Sequence, residues 1–180
     1  MSTLSLHAAT VATATSALLT LKAILTKAAQ THPSPRTLPS SRLAPDMFPL
    51  TAQVRIVSNF GKQVITRLAT APSKAAVPEW KDLAEEATIE ELIERIDKTV
   101  ELLEGVDEKD VAGAGEKIQE LKLGEVTVDV SAAQYVFGYC LPNLFFHLSV
   151  AYGILRNQGV ELGKKDYLGA FLRDVYPPKN

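Results

Sequence analysis

The chain is poor in the side chains that most often carry chemistry. It has one cysteine, Cys140, which excludes an internal disulfide and any cysteine-based zinc site. Of its three histidines, His7 and His32 lie far along the chain from His147, so few metal sites can be built from them. Neither sign of charge is in excess, since 19 Lys plus Arg stand against 21 Asp plus Glu. That balance, with a pI near 5.9, argues against a nucleic-acid surface, and Lys164-Lys165 is too small a basic patch to change it. No GxSxG is present. Gly113-Ala-Gly115 follows a helix end and lacks the strand-then-helix setting of a phosphate loop.

What remains is an ordinary globular composition, 180 residues with 46% hydrophobic, enough for one domain spanning 1–180 with one core. The run Ala8 to Leu21 lacks the basic flank of a signal peptide. Lys22 and Lys27 interrupt it, so it reads as too short to span a bilayer. Its apolar positions step as Leu4, Val11, Ala14, Leu18, Leu21, Leu25 and Ala28, one stripe of an amphipathic helix. The expectation is a soluble, cytoplasmic protein with no membrane and no nucleic-acid partner.

Four long helices are predicted, over about 5–30, 46–70, 88–104 and 131–158. The first connector, Thr31 to Pro45, holds four prolines and cannot stay helical. The second helix would start at Asp46, with Pro49 in its first turn and a stripe of Leu50, Val54, Val57, Gly61, Val64 and Leu68. A second connector, Ala71 to Glu86, places Trp80 at an end of the core. Thr88-Ile-Glu-Glu91 and Ser131-Ala-Ala-Gln134 are capping boxes opening the third and fourth helices. Between them, Ile118 to Val130 changes period around Gly124-Glu125 and reads as a short hairpin or extended pair. The last helix carries the stripe Phe137, Cys140, Leu144, His147, Ala151 and Ile154. It should kink or loosen at Pro142 and close at Gly159. A short helix over about 165–173 carries Tyr167 and Phe171, with Tyr176 beyond it. The fold class is all-α, a four-helix bundle with a hairpin before the last long helix.

His147 is the residue of interest, because an imidazole on a core-facing stripe must find partners. Asn143 lies one turn earlier on the same face, and Tyr139 and Tyr152 are near enough along the helix to add hydroxyls. The ordinary reading is a core histidine bonded to Asn143 or to the second helix. The functional one is an acid–base group or ligand. Cys140 should be buried and inert, and the acids of Glu85 to Glu104 a solvated helix face.

Three segments look familiar: Arg42-Leu-Ala-Pro-Asp-Met-Phe-Pro-Leu50, Leu141-Pro-Asn-Leu-Phe-Phe-His147, and Ala151-Tyr-Gly-Ile-Leu-Arg156 with Gly159-Val160 and Gly163-Lys164. With them the chain resembles the uncharacterised domain-of-unknown-function family nineteen ninety-three, within the DinB-like superfamily, over roughly residues 4 to 170. The resemblance implies an up-down-down-up bundle and a homodimer through a helix face. Better-known members of the superfamily hold a divalent metal with three histidines, and some act on low-molecular-weight thiols. On this chain the three positions fall on Gln53, Asn143 and His147. Amides are weak neutral ligands, so no metal cofactor is expected. The resemblance also leaves Asp46 as a helix cap and Arg156 as a binder of last-turn carbonyls. Three functions follow: a non-metal small-molecule pocket or enzyme centred on His147, with Gln53, Asn143, Tyr139 and Tyr152; a metal-dependent thiol transferase or hydrolase with substitute ligands; and a non-catalytic dimeric interaction module.

Overall fold

A computed structural model describes residues 5–69, 77, 88–173 and 175. Trp80 and Tyr176 lie outside the described residues.

The first long helix, α1 (Thr13–Thr31), continues from a wide π-helical turn at Ala8–Ala12. Its buried face mixes Leu18, Leu21, Ile24 and Leu25 with Ala14, Ala17, Thr20 and Ala28. Small residues let neighbouring helices approach closely. Buried threonine hydroxyls cost little here because each finds a carbonyl: Thr15 turns back on the helix to Val11 at 2.9 Å, and Thr20 reaches Tyr167 at 3.1 Å. Contrary to the sequence expectation, Ala8–Thr31 is long and apolar enough to cross a bilayer by length and composition. More than half of its most apolar window is buried in protein, as in a core helix. Its two lysines are each tied to another part of the chain. Lys22 pairs with Asp97 at 2.6 Å and Lys27 with Asp166 at 3.0 Å.

The proline-rich connector holds a 3-10 stretch, Pro35–Ser40, which buries Leu38 and Pro39. Helix α2 (Leu50–Leu68) starts later than the sequence suggests. Pro49 is extended, with ψ 168°, and its ring disfavours a helical conformation at Phe48, so helix begins only after the proline. Asp46 therefore lies in a turn outside α2 and does not cap it. Helix α3 (Ile89–Glu104) opens with the expected capping box: Glu91 N–H donates to Thr88 Oγ1 at 3.2 Å, and Thr88 N–H to Glu91 Oε2 at 3.0 Å.

After a single turn at Glu108–Val111 the chain forms an antiparallel hairpin of β1 (Ile118–Leu123) and β2 (Val126–Ser131). Leu123 faces Val126 across the two-residue turn, and Gly124 has φ +62°. A positive φ at the first turn position alone marks a type II′ turn, which favours glycine there. Arg67 at the end of α2 anchors the hairpin, donating to Gln119 Oε1 at 3.2 Å and to the Glu120 carbonyl at 2.9 Å.

Ser131 and Gln134 form the second capping box, and the last helix runs as a turn (Ala132–Tyr135), a π segment (Val136–Cys140) and α4 (Leu141–Asn157). Pro142 has no amide donor, and its ring would crowd the carbonyl four residues back. The helix widens just before it. Widening adds one residue to a turn and slips the buried face by one position. Tyr135 and Val136 are buried, whereas Phe137, expected on the stripe, is 56% exposed. From Cys140 onward the expected stripe holds through Leu144, Ala151 and Ile154. Gly159, at φ +88°, closes α4, with Val160 N–H donating to the Leu155 carbonyl at 3.0 Å. Arg156 reaches the Val160 carbonyl at 3.1 Å.

The final short helix, α5 (Lys164–Leu168), is followed by a 3-10 turn at Ala170–Leu172. Its aromatics fold back onto α4: Tyr167 meets Tyr152 at 5.9 Å, and Phe171 meets Phe145 at 5.9 Å. α1 packs on α3, and α2 packs on α4 and α3. The result is a helical bundle with one small hairpin.

Gly61 sits where α1, α2 and α3 converge. A Cβ there would lie 3.0 Å from Thr99 Cγ2 and 3.2 Å from Leu18 Cδ1. Gly61→Val should destabilise the fold by about 1–3 kcal/mol through overpacking, read as a lower urea midpoint at unchanged slope.

Candidate functional site

The candidate site joins α2 to α4 through one pair of side chains. His147 Nδ1 lies 2.7 Å from Gln53 Oε1. Gln53 is 2% exposed, and its Nε2 donates to the Phe48 carbonyl at 3.0 Å. A carbonyl only accepts, so Phe48 fixes which end of the Gln53 amide faces it. The amide oxygen must then face His147, and Nδ1 must be the protonated ring nitrogen. His147 Nε2 is left with a free lone pair and makes no hydrogen bond to any described residue. Burial disfavours the imidazolium and pushes the His147 pKa below its ordinary value. The site thus presents a neutral, oriented imidazole whose acceptor nitrogen lies on the far side of the ring from Gln53. Phe146, exposed, meets the imidazole edge-on at 5.2 Å, and Phe48 is exposed beside Gln53 in the chain path.

The other residues expected at the site are placed differently. Asn143 turns back on its own helix and donates to the Tyr139 carbonyl at 2.7 Å. The Tyr139 ring packs against Phe60 at 5.7 Å and Tyr135 at 5.9 Å. Tyr152 donates to the Leu162 carbonyl at 3.3 Å and packs on Tyr167. Of the five residues expected at the site, only Gln53 and His147 are hydrogen-bonded side chain to side chain. His7 and His32 tie α1 to its surroundings, through the Val106 carbonyl at 2.9 Å and the Gln158 carbonyl at 3.1 Å.

Three histidines would fit a divalent metal, but the donors present here do not. The Gln53 amide is committed at both ends, the Asn143 nitrogen is committed to Tyr139, and one imidazole nitrogen remains. Among the described residues no three His, Cys, Asp or Glu side chains come together as a metal site requires.

A second polar cluster has no counterpart in the sequence reading. The Tyr135 hydroxyl donates to Gln63 Oε1 at 2.7 Å, and the Arg67 guanidinium lies 4.7 Å from the Tyr135 ring centroid. Its members come from positions 63, 67 and 135, too far apart for any local spacing to signal. Burial raises both the Tyr135 hydroxyl and the neighbouring Cys140 thiol, the latter to about 11. Two hollows lie elsewhere. One of about 340 Å³ has His7, Val11, Leu103 and Asp107 in its wall. Another of about 630 Å³ lies against Lys164, Lys165, Leu168 and Leu172.

A helical bundle with a hairpin before its last helix, and a side-chain pair bridging its second and last long helices, defines the class. The chain belongs to the family Domain of unknown function (DUF1993), whose model matches residues 6–168. It is also similar to a crystal structure of a DinB family member protein from Shewanella denitrificans, at 34% identity and TM-score 0.78 over 97% of this chain and 95% of that one. No curated protein matches.

Two measurements check this chemistry. A His147 pKa below the unfolded value near 6.5 means that the unfolded chain binds the extra proton first as pH falls. The stability from a neutral His147 is therefore complete above about pH 6.5 and is lost as pH drops toward the folded pKa. Urea unfolding from pH 7 to 5 should fall for the wild type and flatten for His147→Gln, which keeps a neutral polar group. Cys140 should react with a thiol reagent only on unfolding, seen as a native-state rate well below that of the denatured chain.

Proposed function

We propose that His147 anchors a small-molecule site between α2 and α4, with Nε2 as hydrogen-bond acceptor or general base. The carrying observation is the chain Phe48 carbonyl, Gln53 amide, His147 Nδ1, which leaves Nε2 free in a neutral ring. A base works best when its free form predominates at working pH, and burial of His147 favours that form. Exposed Phe146 beside the ring supports an apolar contact for the ligand body. The ligand class is a compound with an acidic O–H, N–H or S–H group and an apolar portion. Gln53 is a positioning residue, because it touches His147 and holds its tautomer.

The test is a thermal-shift screen of such compounds against wild type, His147→Ala and Gln53→Ala. Hits should raise the wild-type melting temperature, leave His147→Ala unmoved, and bind Gln53→Ala at least several-fold more weakly. Equal shifts in wild type and His147→Ala for every hit would overturn the assignment.

A further inference from the structure

The hairpin ends the bundle in an open edge. Its closing pair is Leu123 with Val126, and antiparallel pairs alternate between hydrogen-bonded and non-hydrogen-bonded. Counting back from that pair, Thr127 and Asp129 on β2, and Lys122 and Glu120 on β1, turn their backbone groups outward. The Glu120 carbonyl bears this out, since it accepts from Arg67. The outer edge of β1 is thus covered at Glu120. On β2 the backbone groups of Thr127 and Asp129 meet no hydrogen-bond partner outside the hairpin among the described residues. The side chains there are unusually apolar for an open edge, with Val126 59% and Val128 36% exposed. Exposed edges are normally blunted by charged side chains, lysine above all, by proline or by a bulge, and on β2 Asp129 is the one such feature.

We infer that the β2 edge pairs with the β2 edge of a second copy, joining two hairpins into a four-stranded antiparallel sheet. The sequence of β2 is self-complementary about Val128. On a two-fold axis there, Val128 faces its own counterpart, Val126 faces Val130 of the second copy, and Thr127 faces Asp129. The outward backbone groups of Thr127 and Asp129 then meet one another as two hydrogen-bonded pairs. Valines meet on one face, and on the other each carboxylate meets a hydroxyl, with no like charges directly opposed. A strand with a charged residue at its centre would not accept itself in this way.

Light scattering across a concentration series tests the pairing in the full chain. The wild-type mass should rise from 19.5 kDa toward twice that value. Thr127→Pro removes an outward donor and spares the internal ladder, and Val128→Asp sets two carboxylates on the axis; both should remain monomeric. Residues facing each other in a non-hydrogen-bonded pair have Cα atoms about 4.5 Å apart, within disulfide reach. Val128→Cys should therefore yield a covalent dimer with diamide as oxidant, while Ile118→Cys, on the opposite face, should not. Buried Cys140 leaves that readout clean. A wild type that stays monomeric throughout overturns the inference. So does a dimer that survives Thr127→Pro and is lost in Phe146→Lys, which would place the contact on α4. Absence of the Val128→Cys cross-link in a chain with wild-type circular dichroism also overturns it.

Discussion

Pro142 constrains the last long helix more than any other residue. Lacking a donor and crowding the carbonyl behind it, it makes the helix open at Val136–Cys140. One extra residue in that turn rotates everything before it relative to everything after it. The early part then buries Tyr135 and Val136 against the end of α2, where Tyr135 meets Gln63 and Arg67. The later part buries Leu144, Leu148, Ala151 and Ile154 and sets His147 at the edge of that face, opposite Gln53.

From that phase follow two polar junctions between α2 and the last helix. At one end Gln53 and His147 share a proton-defined hydrogen bond, backed by the Phe48 carbonyl. At the other, Arg67 stacks on Tyr135 and reaches across to the hairpin. Low-dielectric packing favours pairing every buried polar atom, and here the buried Gln119 Nε2 departs from it, with no partner among the described residues. The first junction leaves an unused imidazole nitrogen and is where chemistry is possible. The second spends Arg67 on Gln119 and Glu120 and occupies one outward carbonyl of the β1 edge. The two capping boxes and the Gly159 closure set helix ends and take no part in either junction.

Much of the fold could be read from local pattern. The capping boxes at Thr88 and Ser131, the Gly124 turn and the Gly159 closure appear where the residues place them, because each is made within a few residues of chain. His147 stands out in the sequence as an imidazole on an apolar stripe, and the resemblance points to Gln53 as the position of a superfamily metal ligand. The pattern places the start of α2 at Asp46, and the structure places it at Leu50, because the cost that Pro49 imposes on Phe48 outweighs a favourable cap. Phe137 leaves the expected stripe because periodicity assumes a constant turn and the π segment breaks it.

The sequence by itself determined the helical periods, their caps, the hairpin turn and the scarcity of metal ligands. Those depend on residue type and short-range backbone bonding. Tertiary structure alone decided which polar groups meet: that Gln53 takes His147 while Asn143 returns to Tyr139, and that Arg67 reaches the β1 edge at Glu120 and not β2. These partners lie up to 94 residues apart. Side-chain chemistry allows each of them several partners, and only the packed orientation of the helices selects one.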